Sequence, residues 1–160
     1  MVKHGKVYKI YGHHKQHLSP IMGYVTKGIA DATESLTLQP QACDVRGAKR
    51  YDAQQCVIAK CLSRHLHPEA VAIGRSLAYA VFDGLAIRFS VPAASRKVVE
   101  EFDERGRVVR APIVLSVVPP SWSIKSFRKG GGHGHGGVAK RRMKKLNVRA
   151  VGGGVVMSVT

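Results

Sequence analysis

Carboxylates are missing from both ends of this chain. No Asp or Glu precedes Asp31 and none follows Glu104, so all ten acidic residues lie between those positions while 26 Lys and Arg run along the whole length. The first thirty residues hold five Lys and no acid, residues 31 to 104 hold nine Lys or Arg against ten acids, and residues 105 to 160 hold twelve basic residues and no acid. The three segments therefore stand at +5, −1 and +12 within a net charge of +16. Charge placed in this way repels itself and destabilises a compact state unless an anion neutralises it, so a polyanion is the expected partner. Each Lys or Arg that neutralises a phosphate displaces a condensed counterion, which makes tight and strongly salt-dependent binding the expected behaviour.

Long apolar runs are absent too. None approaches the roughly 20 residues that a membrane-spanning helix needs, and no membrane partner is expected. Cysteine is scarce: three residues, an odd number with no signal peptide, argue against a disulfide framework and for a reducing or organellar interior. Cys56, Cys61, His65 and His67 are the right elements for zinc, but structural zinc pairs stand two to four residues apart. Cys56 and Cys61 are five apart on a predicted helix and project about 140° from one another. Cys61 and His65, one helical turn apart, can share a metal with Cys43; small buried hydrophobes are the commoner role of such cysteines, and no metal or other cofactor is expected. The motifs GxSxG and GKS/GKT are also missing. GGGHGHGG at 130 to 137 superficially suggests a phosphate loop, yet no Lys-Ser or Lys-Thr follows it and no convincing strand precedes it. No enzyme activity and no small-molecule substrate are expected. His133 and His135 can bind a metal, but a structural role is preferred, in which glycines let backbone approach RNA closely and the imidazoles add donors.

What is present divides the chain into a basic aromatic arm at 1–30, a globular core at 31–120 and a basic glycine-rich tail at 121–160. In the first segment Tyr8, Tyr11 and Tyr24 interleave with Lys and His, while Gly and Pro interrupt any period, so it reads as an extended arm. Such interleaving suits phosphate contacts and stacking on unpaired bases; packing of the tyrosines on their own domain is the alternative. Acid-free N-termini also serve as import signals, but those favour Arg and Ser on an amphipathic helix. Arg is absent here until Arg46, and a cleaved presequence is not expected.

In the core, Asp52 as N-cap with Gln55 three residues on predicts a helix over Ala53 to Leu66, its apolar stripe running through Val57, Ile58, Cys61, Leu62, His65 and Leu66. Pro68 stops it and opens a second helix whose face holds Val71, Leu77, Ala78 and Val81, with Gly74 as a close-packing point. After the turn pair Asp83 and Gly84, Leu85, Ile87, Phe89 and Val91 alternate with Ala86, Arg88 and Ser90, the period of a half-buried strand. Residues 97 to 103 fit either a strand or a short helix. Glu104-Arg105-Gly106 predicts a hairpin turn with Gly106 at positive φ, and Arg107 to Val118 is β-rich, with Pro112 suggesting an edge or bulge. Pro119 and Pro120 end the core. The expected fold class is α+β: two helices packed on a small antiparallel sheet, with extended basic arms at both termini.

Beyond the prolines, Trp122, Lys125, Phe127, Arg128 and Lys129 lead into the glycine tract, and six basic residues follow within ten positions. A neutral core, an aromatic-basic N-terminal arm and a tail such as KGGGHGHGGVAKRRMKKLNVR resemble ribosomal proteins, most of all the divergent mitochondrial ribosomal proteins of protists. The resemblance covers the two arms; residues 31 to 118 align with no family signature. It implies a structural constituent of a ribonucleoprotein, mitochondrial or otherwise cytoplasmic, with rRNA and neighbouring ribosomal proteins as partners. The residues expected to meet RNA are Lys3, Lys6, Lys9, Tyr11, Lys15, Lys125, Arg128, Lys129, Lys140, Arg141, Arg142, Lys144, Lys145 and Arg149. A non-ribosomal RNA-processing or nucleoid protein, or a capsid protein with a basic internal arm, are the competing readings. The first lacks any RRM, KH or zinc-knuckle signature, and the second requires symmetric homo-oligomers.

Overall fold

The computed structural model describes residues 1–10, 13–107, 111–122, 124, 147–151 and 154–158. The chain divides into two compact units, Met1–Ser126 and Phe127–Thr160. The first unit is α+β. Its elements are α1 (His13–Leu18), a 3-10 helix (Ser19–Tyr24), β1 (Gly28–Asp31), β2 (Leu36–Leu38), α2 (Ala42–Arg46), α3 (Val57–Leu66), β3 (Ala70–Ile73), β4 (Leu77–Phe82), β5 (Leu85–Ser90), α4 (Ala93–Arg105) and β6 (Ile113–Leu115).

The main sheet has the order β1-β5-β4-β3 and is mixed: β3, β4 and β5 form an antiparallel meander, while β1 joins β5 in parallel, with Ala30 opposite Ile87 and Asp31 opposite Arg88. Antiparallel neighbours follow from two short turns; the parallel edge arises because β1 comes from far upstream and needs no tight connection. β2 and β6 make a second, two-stranded sheet, joined to the end of β5 through a bridge between Ser90 and Ser116.

Both faces of the main sheet are covered. On one face Leu85, Ile87, Phe89, Ala78, Ala80, Val71 and Ile73 pack with Ile58, Cys61 and Leu62 of α3 and with Leu38 and Ile113 of the small sheet. On the other, Ile29, Ala72, Tyr79, Val81 and Ala86 pack under Leu18, Ile21 and Ile124. This double burial explains two departures from the sequence pattern. β5 is buried at every residue rather than half-buried, and its small residues Ala86 and Ser90 belong to a covered face. The region after Pro68 is a hairpin, β3–β4, instead of the predicted second helix. When both faces of a strand are covered, the alternation that marks strands disappears and the run reads as uniformly apolar. Ala70, Ala72, Ala78 and Ala80 strengthen a helical reading, but Val71, Ile73, Tyr79 and Val81 favour extended backbone, and Gly74 lies in the turn, its N–H donating to Leu77 O.

The predicted first helix exists but starts later. Asp52 Oδ1 accepts the N–H groups of Gln54 and Gln55 at 2.9 and 3.0 Å, capping a separate turn, and α3 begins at Val57 with Cys56 as its N-cap. It ends in a left-handed His67 followed by Pro68, which forbids continuation. The stripe Val57, Ile58, Cys61 and Leu62 is buried, while His65 is exposed. Residues 97 to 103 resolve as helix, within a 13-residue α4 whose buried positions Ser95, Val98 and Phe102 fall on one side. Ser95 Oγ donates to Val114 O at 2.7 Å and accepts Val114 N–H at 3.1 Å, tying α4 to β6. Gly106 has the anticipated positive φ of 67°, as the left-handed cap of α4 and not as a hairpin turn.

The N-terminal segment departs most from the extended arm. Residues 1 to 8 run antiparallel along the free edge of β1, bridging at His4–Ala32 and Tyr8–Ile29, and so cover an edge that would otherwise offer unpaired backbone groups. Residues 13 to 24 then coil over the sheet and insert Leu18 and Ile21, both fully buried. Each such side chain stabilises the fold by about 1.5–3 kcal/mol through burial, which is why a segment with the charge of a tail is part of the core. In the second unit, β7 (Asn147–Val151) and β8 (Gly154–Ser158) pair antiparallel, Asn147 opposite Ser158 and Val151 opposite Gly154, so the closing residues pair with their own chain.

Candidate nucleic-acid interface

The N-terminal cations lie along the edge segment beside β1. Val2, Tyr8 and Ile10 turn toward the fold, and Lys3, His4, Lys6 and Lys9 stay exposed. Lys15, on α1, is exposed as well. Lys3 Nζ lies 2.7 Å from Glu34 Oε1, and that hydrogen bond raises its pKa. Lys27 pairs with Asp83 across the sheet edge. Lys6, Lys9 and Lys15 meet no carboxylate among the described residues, and Lys6 Nζ sits 5.9 Å from the Tyr8 ring centroid as a cation–π pair. Tyr11, Lys125, Arg128, Lys129, Lys140, Arg141, Arg142, Lys144 and Lys145 lie outside the described residues, as do His133 and His135. Arg149 is placed on β7 by its backbone.

Two buried ion pairs were not visible as such in the sequence. Arg88 is 1 % exposed, on the sheet face that it shares with Ala86, and its Nε donates to Asp31 Oδ1 at 2.6 Å while Nη2 donates to Asp31 Oδ2 at 3.2 Å. Nη2 also donates to Trp122 O at 2.6 Å, and Asp31 Oδ2 accepts the Ile124 N–H at 3.3 Å. This pair clasps the end of the first unit onto the sheet, immediately before residues 125 to 160, which hold nine Lys or Arg and no acid. The available signals were a lone Arg inside the apolar run LAIRFSV and the first acid after thirty acid-free residues. On a strand predicted to be half-buried, however, Arg88 reads as solvent-facing.

The second pair joins helices α2 and α3. Arg64 Nε and Nη2 both donate to the buried Asp44 carboxylate, at 3.0 Å to Oδ1 and Oδ2 respectively, and Nη2 also donates to Gln39 O at 2.8 Å. Burial alone would push the Asp44 carboxyl up. The hydrogen bonds from Arg64 and from the Gln41 N–H outweigh this and hold it below the ordinary aspartate value.

Cys61, Cys43 and His65 do not converge. Cys61 is buried in the core, Cys43 is exposed, and among the described residues no three His, Cys, Asp or Glu side chains gather as they would around a metal ion. Burial pushes the Cys56 and Cys61 thiols up to about 11, so both stay protonated near neutrality. Among the described residues no helix is long and apolar enough to cross a membrane. Compared with protein families, with curated proteins and with solved structures, the chain matches none.

Proposed function

We propose that this chain is a structural constituent of a ribosome, mitochondrial by its resemblance, which binds and neutralises rRNA through its basic segments and contacts neighbouring ribosomal proteins with its core. The observation that carries the reading is the segregation of charge: every carboxylate lies within residues 31 to 104, and the flanks hold +5 and +12 with no acid of their own. Fixed Lys6, Lys9 and Lys15 on a folded surface are in keeping with phosphate contacts that orient a protein on RNA without reading sequence. No catalytic step is part of this role.

Sedimentation of the native particle tests it. Co-migration with a ribosomal subunit that persists in moderate salt is expected, and deletion of residues 129 to 149 impairs incorporation without unfolding residues 31 to 118. With about eight flanking cations engaged, log affinity for RNA falls by roughly six to seven per tenfold rise in salt. Migration as free protein or as a closed homo-oligomeric shell, or normal incorporation of the deletion, refutes the assignment.

A further inference from the structure

A cleft of about 440 Å³ opens beside the N-terminal edge segment, between Gly5, Lys6 and Tyr8, the end of β1 at Asp31, and the chain at Val117 and Pro120. It falls in the size range of about 300–1,000 Å³ typical of clefts that hold a small ligand or part of a larger one. Its walls are unlike one another. Val117 and Pro120 give it an apolar side, Tyr8 an aromatic one, and Lys6 a cation that shares one side of the extended backbone with Tyr8. The one acidic side chain on its lining, Asp31, is already neutralised by Arg88, so the cleft offers no net repulsion to an anion.

The Tyr8 main chain is fixed against β1, and its ring packs partly on the buried cluster that contains Leu18, Ile21 and Ile29. Its N–H donates to Ile29 O at 2.8 Å and its carbonyl accepts the Ile29 N–H at 2.9 Å. Gly28, at φ 116°, permits that approach, since a Cβ there would sit 2.4 Å from Tyr8 O. An aromatic wall that is already ordered costs little to engage. Aromatic side chains with a neighbouring cation are what single-stranded RNA binders present to a splayed base, because every base has a π-face and every nucleotide carries a phosphate.

We infer that this cleft seats one unpaired nucleotide of an RNA strand, its base against Tyr8 and the Val117–Pro120 wall and its phosphate on Lys6. The inference rests on the proposed RNA-binding function and adds to it a site on the folded unit that prefers single strands. A charged rim drawn from a segment with no acid among its first thirty residues fits a nucleic acid better than a peptide.

The test uses the full chain and fluorescence anisotropy with a short oligouridylate and a duplex of equal length, in moderate salt so that the flanking charges do not dominate. Tyr8→Leu keeps the apolar packing and removes the π-face; single-strand affinity falls roughly five- to hundredfold with an unchanged salt slope, and duplex affinity does not move. Lys6→Ala lowers the single-strand salt slope by about 0.7. Val117→Glu, at a side chain that is two-fifths exposed and so tolerant of charge, weakens the strand at least as much as Lys6→Ala while leaving the fold intact. Photocrosslinking of an iodouridine-substituted strand labels Tyr8. Variants that match the wild type while it binds both RNAs, equal losses on strand and duplex, crosslinks confined to residues beyond 121, or a mononucleotide or peptide binding the cleft as tightly as the strand would each overturn the inference. A wild type that binds neither RNA removes the proposed function and the cleft together.

Discussion

Replacement of Arg88 by Met is the most direct probe of how the first unit is built. The side chain is 1 % exposed, makes both hydrogen bonds to Asp31 and holds Trp122 O, so its loss strands a carboxylate and a carbonyl. Removing one partner of a buried ion pair costs about 3–5 kcal/mol. Asp31 keeps 23 % of its side chain exposed and regains some solvation, and Met refills most of the volume, which places the expected loss at about 3 kcal/mol. With a urea slope of about 1–3 kcal/mol per molar, the unfolding midpoint falls by roughly 1–3 M. The single Trp reports the transition directly, since its own carbonyl is the third acceptor, and its emission shifts at the same urea concentration as the far-ultraviolet dichroism. The decisive comparison adds Asp31→Asn to Arg88→Met. If the cost comes from an orphaned charge, the double variant is more stable than Arg88→Met alone. A loss below about 1 kcal/mol, or a double variant no better than the single, refutes the reasoning.

Leu18→Ala is expected to cost about 2–5 kcal/mol in thermal or urea unfolding, which would separate a core role for the N-terminal segment from that of a detachable arm. Because the Asp44 carboxyl is held below the ordinary aspartate value of 3.8, its pairing with Arg64 stabilises fully above that value and is lost as pH falls through the lowered folded value. An acid titration of stability therefore shows a shallower acid-side fall for Asp44→Asn, from a lower starting stability, than for the native chain. A thiol reagent near neutral pH labels Cys43 in the folded chain, while Cys56 and Cys61, buried and protonated, react only after unfolding; mass mapping of the adducts checks this.

The sequence by itself determined the features that depend on local chemistry and on counting. The segregation of charge, the apolar stripe at Val57, Ile58, Cys61 and Leu62, the turn at Asp83-Gly84 and the positive φ of Gly106 were all legible, because neighbouring residues or composition alone decide them. Of the candidate interface, exposure of Lys3, Lys6, Lys9 and Lys15 followed from charge alone. The cleft beside Lys6 and Tyr8 did not, since its walls come from three stretches of chain that are distant in sequence. Only the tertiary structure decided that β3 and β4 are strands, that residues 1 to 10 and 13 to 24 belong to the fold, and that Arg88 is an internal clasp and not a surface cation. The common reason is the sheet covered on both faces: in β3 and β4 burial on two sides erases the alternation by which a strand is recognised, and in β5, where the alternation survives, it turns positions that look solvent-facing into interior ones.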